Sequence, residues 1–425
     1  MEDRGTRDWG RPLDLHKIGY SRSLMKTIVL GIETSCDETA ICIIEAGEHG
    51  VIYSGNEVKE PFNNGPEIKV LGNALQSQIE IHAKHGGVFP ALAKREHSKN
   101  ITPLFIEALK KSGLYKEKKS TLGDEEKTKV LTSLKMEHEM AADVIELLET
   151  IEKPNIDVIA VTQGPGLEPA LWVGINFAKT LGTVWNIKVV PTNHMEGHIV
   201  SVLVDSEKEK NVTFPALALL ISGGHTELVL IKSWHEYSVI GRTRDDAVGE
   251  AFDKVARILG LEYPGGPKIS LLAKKSRERE KNPEIVLPRP MLNTKDYDFS
   301  FSGLKTAVLY LVKKMGELSE TDKEDIAREF EDSATEVLVK KTRQAMIDHN
   351  VRTIIIGGGV IANENIRSAF QKMTSMDFID VNLFIPQIEH STDNAIMIAV
   401  AGYMRFVSKV DSLEVDFKAS GNLSL

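Results

Sequence analysis

Apolar and polar positions alternate in the same order at two places along the chain. In "TIVLGIETSCDETAICIIEA", residues 27–46, two apolar runs flank a short polar turn, which predicts a strand, a turn and a returning strand. "ALALLISGGHTELVLIKS", residues 216–233, repeats that order around a Ser-Gly-Gly-His turn. Two such hairpins about 190 residues apart predict an internal duplication into two related lobes. Between them, "DVIAVTQGPGLEPALWVGINFAKTLGTVW" reads as a buried strand, a Gly-Pro-Gly turn and a helix, and "IKVVPTNHMEGHIVSVLV" as a short strand and a helix. Further on, "EDIAREFEDSATEVLVKKTRQAMIDH" is a long amphipathic helix, followed by strand, glycine loop and helix in "VRTIIIGGGVIANENIRSAFQKM". Strands alternating with helices at this spacing predict an α/β fold.

Two segments break the pattern. Residues 116–153 are rich in Lys and Glu and contain the amphipathic "MAADVIELLETIE", so they are expected to form a largely helical surface insertion with solvated charges. "KKSREREK", residues 274–281, is locally basic and is expected to be a solvated helix end, with RNA contact as the lesser reading. The first 24 residues mix Arg with Asp and Glu and have no apolar core, which excludes a signal peptide. Met25 directly precedes the first strand and is the expected start, with residues 1–24 a disordered extension.

Composition narrows the classes. At 42% hydrophobic and 27% charged, the 425 residues are of ordinary globular type. No apolar run approaches the roughly 18 residues of a membrane span. Only Cys36 and Cys42 are present, which excludes a disulfide scaffold and a four-thiolate zinc site and fits a reducing, cytoplasmic setting. The net charge of −9 argues against a dedicated nucleic-acid binder, because phosphate neutralisation needs basic surface.

Three glycine- or serine-rich turns follow buried strands. In "ETSCDET" the turn amides can hold an anion, and Asp37 and Glu38 can hold a magnesium ion or its water. In "SGGHT", Gly223 and Gly224 allow close backbone approach to a phosphate, and His225 can donate to it. "GGGVIAN" stands between strand and helix, the place for a nucleotide on an open α/β sheet. His194 and His198 in "NHMEGH" are four apart, on one face of a helix, so they can share a metal. An isolated pair of this kind is more often structural; Asp393 in "HSTDNA" offers the third ligand that would change this. His82 and His85, followed by Gly86 and Gly87, read as a helix end rather than a metal pair. Protease chemistry is disfavoured. In HExxH the base directly follows the first histidine, whereas Glu196 comes two residues after His194, roughly 200° around the helix.

The chain resembles the TsaD family, the tRNA adenosine threonylcarbamoyltransferases. The resemblance is carried by "GIETSCDET", "GGVFPALAKREH", "GPGL", "NHMEGH", "SGGHTEL", "DDAVGEAFDKVARILGLEYPGGP", "LPRPM", "DFSFSGLKT", "AREFEDS", "GGGVIAN" and "STDNAIMIA", in family order from about residue 26 to 406. It implies an actin/hexokinase-like (ASKHA) fold of two RNase-H-like lobes with a cleft between them. The lobes are expected at 25–191 and 192–393, with 394–425 a helix returning to the first lobe plus a tail. It implies transfer of a threonylcarbamoyl group from threonylcarbamoyl-AMP to N6 of the adenosine 3′ of the anticodon in tRNAs reading ANN codons.

By motif, the resemblance makes His194, His198 and Asp393 ligands of one ferrous ion, or of zinc. Leu220, Ile221, Ser222, Gly223, Gly224 and His225 fall at the adenylate, as do Asp253, Gly266 and Asn363. Asp37 and Glu38 become the candidate bases and His225 a stabiliser of developing charge. A TsaB-like paralogous lobe and a TsaE-like small ATPase are the implied partners. Glu168 and Pro169 replace the usual Val and Gly, Asn193 replaces a frequent histidine, and the charged insertion is extra. Competing readings are a phosphotransferase of the same fold, a non-catalytic actin-like scaffold, and the sialoglycoprotein endopeptidase of the family's older description. The His-His-Asp set counts against the first two, the direction of Glu196 against the last.

Overall fold

A computed structural model of the chain describes residues 26–48, 65–204, 212–279, 284–409 and 416–425. The 1–24 segment lies outside the described residues. The first hairpin forms β1 (Thr27–Glu33) and β2 (Glu38–Glu48), joined by β3 (Pro66–Ser77), β4 (Val158–Gly164) and β5 (Lys188–Asn193). Their order in the sheet is β3-β2-β1-β4-β5. The second hairpin forms β6 (Ala216–Ile221) and β7 (Thr226–Ser233), joined by β8 (Glu236–Arg242), β9 (Thr353–Gly357) and β10 (Asn382–Phe384). From the β8 edge that sheet runs β8-β7-β6-β9-β10. In each sheet the first three strands are antiparallel and the last two run parallel to the first. Order and direction therefore repeat, and the paired hairpins are the start of each copy.

Helices fill the layers. Outside the first sheet are α1 (Ile79–Ala83), α2 (Pro90–Ser112), α3 (Asp124–Ser133), α4 (His138–Thr150) and α5 (Glu168–Trp185). After β5 comes α6 (His194–Val200). The second sheet is covered by α7 (Val248–Ile258), α8 (Gly265–Arg277), α9 (Ser302–Met315), α10 (Glu320–Asp348) and α11 (Glu364–Asp377), and the last helix is α12 (Ala395–Ser408). α6 crosses to β6 and β9, while α12 returns to β1, β2, β4 and β5. The two helices and the facing sides of both sheets share one core, with Val29, Cys42, Ala160, Met195, Leu220, Ile355 and Met397 in it. β1 alternates sides: Val29 faces that middle core, Leu30 and Ile32 face the outer one. Gly31 lies under α12, where a Cβ would come within 2.3 Å of the Ala395 carbonyl oxygen.

The charged insertion is helical but not merely superficial. α4 buries Met140, Val144, Leu147 and Leu148, and α3 buries Val130, in the outer core of the first lobe. Most of its lysines and glutamates stay at the rim, as in Lys127–Glu149 at 3.0 Å, but Glu137 is buried and pairs with Lys94 of α2 at 3.1 Å. The expected change at Glu168 and Pro169 leaves an orderly helix start: α5 begins at Glu168 with proline in its first turn. Beyond α12, residues 416–425 return to the first lobe. Phe417 enters its core, Ser420 N donates to the Gln163 carbonyl at 2.9 Å, and Gly166 N to that of Gly421 at 3.1 Å. Among the described residues, no helix is long and apolar enough to cross a membrane.

Candidate metal and nucleotide site

α6 starts where it does because Asn193 caps it. The Asn193 Oδ1 accepts from Met195 N at 2.8 Å and Glu196 N at 3.3 Å, so His194 becomes the first helical residue. The asparagine that departs from the family pattern is thus built into the site, and its Nδ2 also donates to the Ser424 carbonyl at 3.2 Å. Four residues on, His198 shares the face of His194. Asp393 arrives from the other half of the chain, directly before α12, whose cap Asn394 accepts from Met397 N at 3.0 Å. The Asp393 Oδ1 stands 3.3 Å from His194 Nε2 and 3.1 Å from His198 Nε2.

These three residues meet the requirements of a cation. Their ligand atoms all lie within 4.8 Å of one another. Donors held at about 2.1 Å from one tetrahedral ion stand roughly 3.4 Å apart, close to both histidine–aspartate separations. His198 is fully buried; its Nε2 meets the Asp393 carboxylate and its Nδ1 has no hydrogen-bond partner. A buried nitrogen is rarely left without a partner, and an imidazole lone pair placed so is of the type that can ligate a metal. Burial disfavours protonation of His194, yet Asp393 and Glu33 carry it well above the ordinary imidazole range. Burial pushes the Asp393 carboxyl up, but the two histidines hold it well below the usual range. The field at this point favours positive charge.

Glu196 points elsewhere. It is 1% exposed and bound by His235 Nδ1 and Tyr237 Oη, each at 3.0 Å, and by Arg405 at 2.7 Å. Held among these groups, it cannot serve as a base at the histidine pair.

A cavity of about 660 Å³, a size that suits a nucleotide, opens in the second lobe. Gly223, Asp253, Gly266 and Asn363 line it together, from four separate segments. Asp253 accepts from Gly265 N at 2.7 Å and so shapes the start of α8. Burial raises its carboxyl above the usual range, with the Gly265 and Gly266 amides opposing. Asn363 presents less than the sequence suggested. Its Oδ1 caps α11 through Ile366 N at 3.0 Å, and its Nδ2 donates to Ser270 Oγ and Glu331 Oε1 at 2.7 and 2.6 Å. Leu220 and Ile221 are fully buried at the end of β6 and offer the cavity no side chain. Ser222 and His225 close the turn on each other, through Ser222 N to the His225 carbonyl at 2.9 Å and His225 N to Ser222 Oγ at 3.1 Å. Gly224 is in that turn with open space around it. Burial, with His194 and His198 nearby, lowers His225 to about 4, so at neutral pH it is an uncharged donor. Gly359 on the cavity wall approaches the loop that carries Asp393: a Cβ there would stand 3.9 Å from Thr392 Cγ2.

Asp37 and Glu38 sit on the opposite lobe. Burial, then the charges of Asp37 and Asp393, push Glu38 up to about 9. Asp37 also raises Tyr263, after burial, so this turn faces the cavity rim across the cleft. Arg257 of α7 bridges the lobes by donating to the Gly86 carbonyl at 2.6 Å. His82 has both ring nitrogens engaged locally, by Gln78 Oε1 at 3.1 Å and Phe89 N at 3.3 Å. The basic run is a helix end that is solvated only in part: Lys274, Lys275 and Glu278 are exposed, whereas the arginines are engaged. Arg277 reaches the cavity wall, donating to Glu331 at 2.5 Å and also pairing with Asp332, while Arg279 pairs with Asp325. Positions 280 and 281 lie outside the described residues.

Sequence reasoning gave no role to Glu33, His97 or Gln78, which brace the Ser35–Glu38 turn. His97 Nε2 donates to the Cys36 carbonyl at 3.0 Å, Thr39 Oγ1 stands 2.7 Å from its Nδ1, and Gln78 N donates to the Asp37 carbonyl at 2.8 Å. The available signal was a glutamate ending the apolar run "TIVLGIE".

The family model described as TsaD, tRNA N6-adenosine threonylcarbamoyltransferase, matches residues 69–121 and 139–400. The unmatched interval between them holds α3. A protein of that name from Thermosipho africanus is 41% identical over 91% of this chain and 96% of its own length. One from Persephonella marina is 37% identical over 93% and 95%, and one from Bacillus subtilis 40% over 89% and 90%. Matches of that extent place this chain in the tRNA N6-adenosine threonylcarbamoyltransferase family.

Proposed function

We propose that this chain transfers a threonylcarbamoyl group from threonylcarbamoyl-AMP to N6 of the adenosine 3′ of the anticodon in tRNAs reading ANN codons, releasing AMP. The observation that carries this reading is a nucleotide-sized cavity in the second lobe whose wall, at Gly223 and Gly359, belongs to loops that also approach a buried His-His-Asp cluster. The repeated strand order supports assigning the actin/hexokinase-like (ASKHA) type, with two RNase-H-like lobes.

His194, His198 and Asp393 would hold one ferrous ion, or zinc, and three protein ligands leave positions open to substrate. The bound cation supplies Lewis acidity toward substrate oxygens. The adenylate would occupy the cavity against Gly223, Asp253 and Gly266, with its mixed anhydride toward the Ser222–His225 turn. The N6 amine attacks the carbamoyl carbonyl, the new C–N bond forms, and the bond to the phosphate oxygen breaks. His225, uncharged, donates one N–H to charge building on the leaving phosphate. The proton from N6 needs an acceptor. Glu38 keeps its own proton at neutral pH, so Asp37 is the proposed acceptor of the two. The net charge of −9 supports shared RNA binding with a TsaB-like lobe and a TsaE-like ATPase.

The test is mass spectrometry of tRNA nucleosides after incubation with threonylcarbamoyl-AMP and those partners. The expected product is threonylcarbamoyladenosine, absent with His194→Ala combined with His198→Ala. Full metal content in that double variant would refute the ligand assignment.

A further inference from the structure

We propose that Glu33 is a positioning residue for the metal site, one that fixes the ring of His194 and the head of the acidic turn with a single carboxyl group; this rests on the metal reading above. Glu33 is fully buried at the end of an otherwise apolar strand, where an acidic side chain is costly unless bonded. It is bonded at both oxygens. Oε1 accepts from Ser35 N at 2.5 Å. Oε2 accepts from Thr162 Oγ1 at 2.7 Å and stands 3.0 Å from His194 Nδ1.

An oxygen that accepts from Thr162 and faces Nδ1 sets the tautomer: Nδ1 carries the hydrogen and donates it. The opposite nitrogen, Nε2, faces Asp393 and His198 and is the one that would give its lone pair to a cation in place of its proton. Ser35 Oγ, 3.2 Å from the same Nδ1, adds a second contact from the turn that Glu33 also holds. His198 has no such support, since its Nδ1 is unpartnered. The orientation of the ligand pair therefore depends on the Glu33 side, and Thr162 of β4 fixes Glu33 in turn. A carboxylate behind a ligating histidine both orients the ring and raises its basicity.

The experiment is a Co²⁺ titration of the full chain, read by the visible d–d absorption, for wild type, Glu33→Gln, Thr162→Val and His198→Ala. Metal-free unfolding midpoints are measured alongside. A glutamine has one acceptor oxygen and an amide that cannot accept, so one of the three donors loses its partner. Glu33→Gln should weaken Co²⁺ binding roughly 10- to 100-fold and shift the absorption band, with the metal-free protein still folded. Thr162→Val should give a smaller loss in the same direction. A folded Glu33→Gln with wild-type affinity and band would overturn the proposal. Should that variant fail to fold, Thr162→Val decides: unchanged affinity there overturns it equally. Wild type indistinguishable from His198→Ala would instead remove the metal reading itself, and this proposal with it.

Discussion

His97 lies between Thr39 and the carbonyl of Cys36, and burial lowers it from 6.5 to about 4. Its neutral form is therefore the one the fold requires. In the unfolded chain the imidazole takes a proton near its ordinary value, so between about 6.5 and 4 the unfolded state binds more protons. The contribution to stability is complete above that window and is lost as pH falls through it. Replacing His97 by asparagine, which does not titrate, should make the stability difference between pH 7 and pH 5 smaller by about 2 kcal/mol, measured by urea unfolding at both values. An unchanged difference would mean that His97 is not held neutral. The same residue shows where sequence reading stopped. "AKREH" marks a histidine on a helix, and nothing in that string says that its ring will meet a turn 61 residues earlier.

At the scale of the element, α6 divides its polar side chains between two sides. His194 and His198 face Asp393, while Glu196 faces Arg405, His235 and Tyr237. Helical geometry alone foretold that separation, because residues two apart point in nearly opposite directions. It could not foretell what Glu196 would meet, since the partners come from α12, from the turn between β7 and β8 and from β8 itself. Glu196→Ala removes a buried carboxylate that accepts from His235, Tyr237 and Arg405 and should cost roughly 1–3 kcal/mol in chemical unfolding, while metal stoichiometry stays at the wild-type value. Loss of metal without loss of stability would place Glu196 at the ion instead.

The whole molecule is closed by exchange between its halves. α6 of the first copy covers the second sheet, α12 of the second covers the first, and the segment after α12 returns to the Gly164–Gly166 turn. Phe417 anchors that return, 3% exposed, with Lys179 Nζ 4.4 Å from its ring centre. Phe417→Ala should lower stability by about 3 kcal/mol, seen as a lower unfolding midpoint. A change under about 0.5 kcal/mol would show that the segment merely rests on the surface.

Local physics sufficed for the elements that have a strong period. The two hairpins, the strand–turn–helix at 157–185, the long helix α10 and the histidine face were legible because alternation and 3.6-residue spacing act within about 20 residues. The third strands, β3 and β8, were not assigned, since "PEIKVLGNALQS" and "EYSVIGR" mix polar and apolar residues as edge strands do. The family motifs named the ligands and the nucleotide turns. Only the tertiary structure decided what those residues do for one another. It spent both ends of the Asn363 side chain on its own neighbours, paired Arg277 with α10, sealed Leu220 and Ile221 in the core, and set Glu33 behind His194. Hydrogen bonds and ion pairs between distant segments depend on which surfaces the lobes bring together, and sequence periodicity carries no record of that.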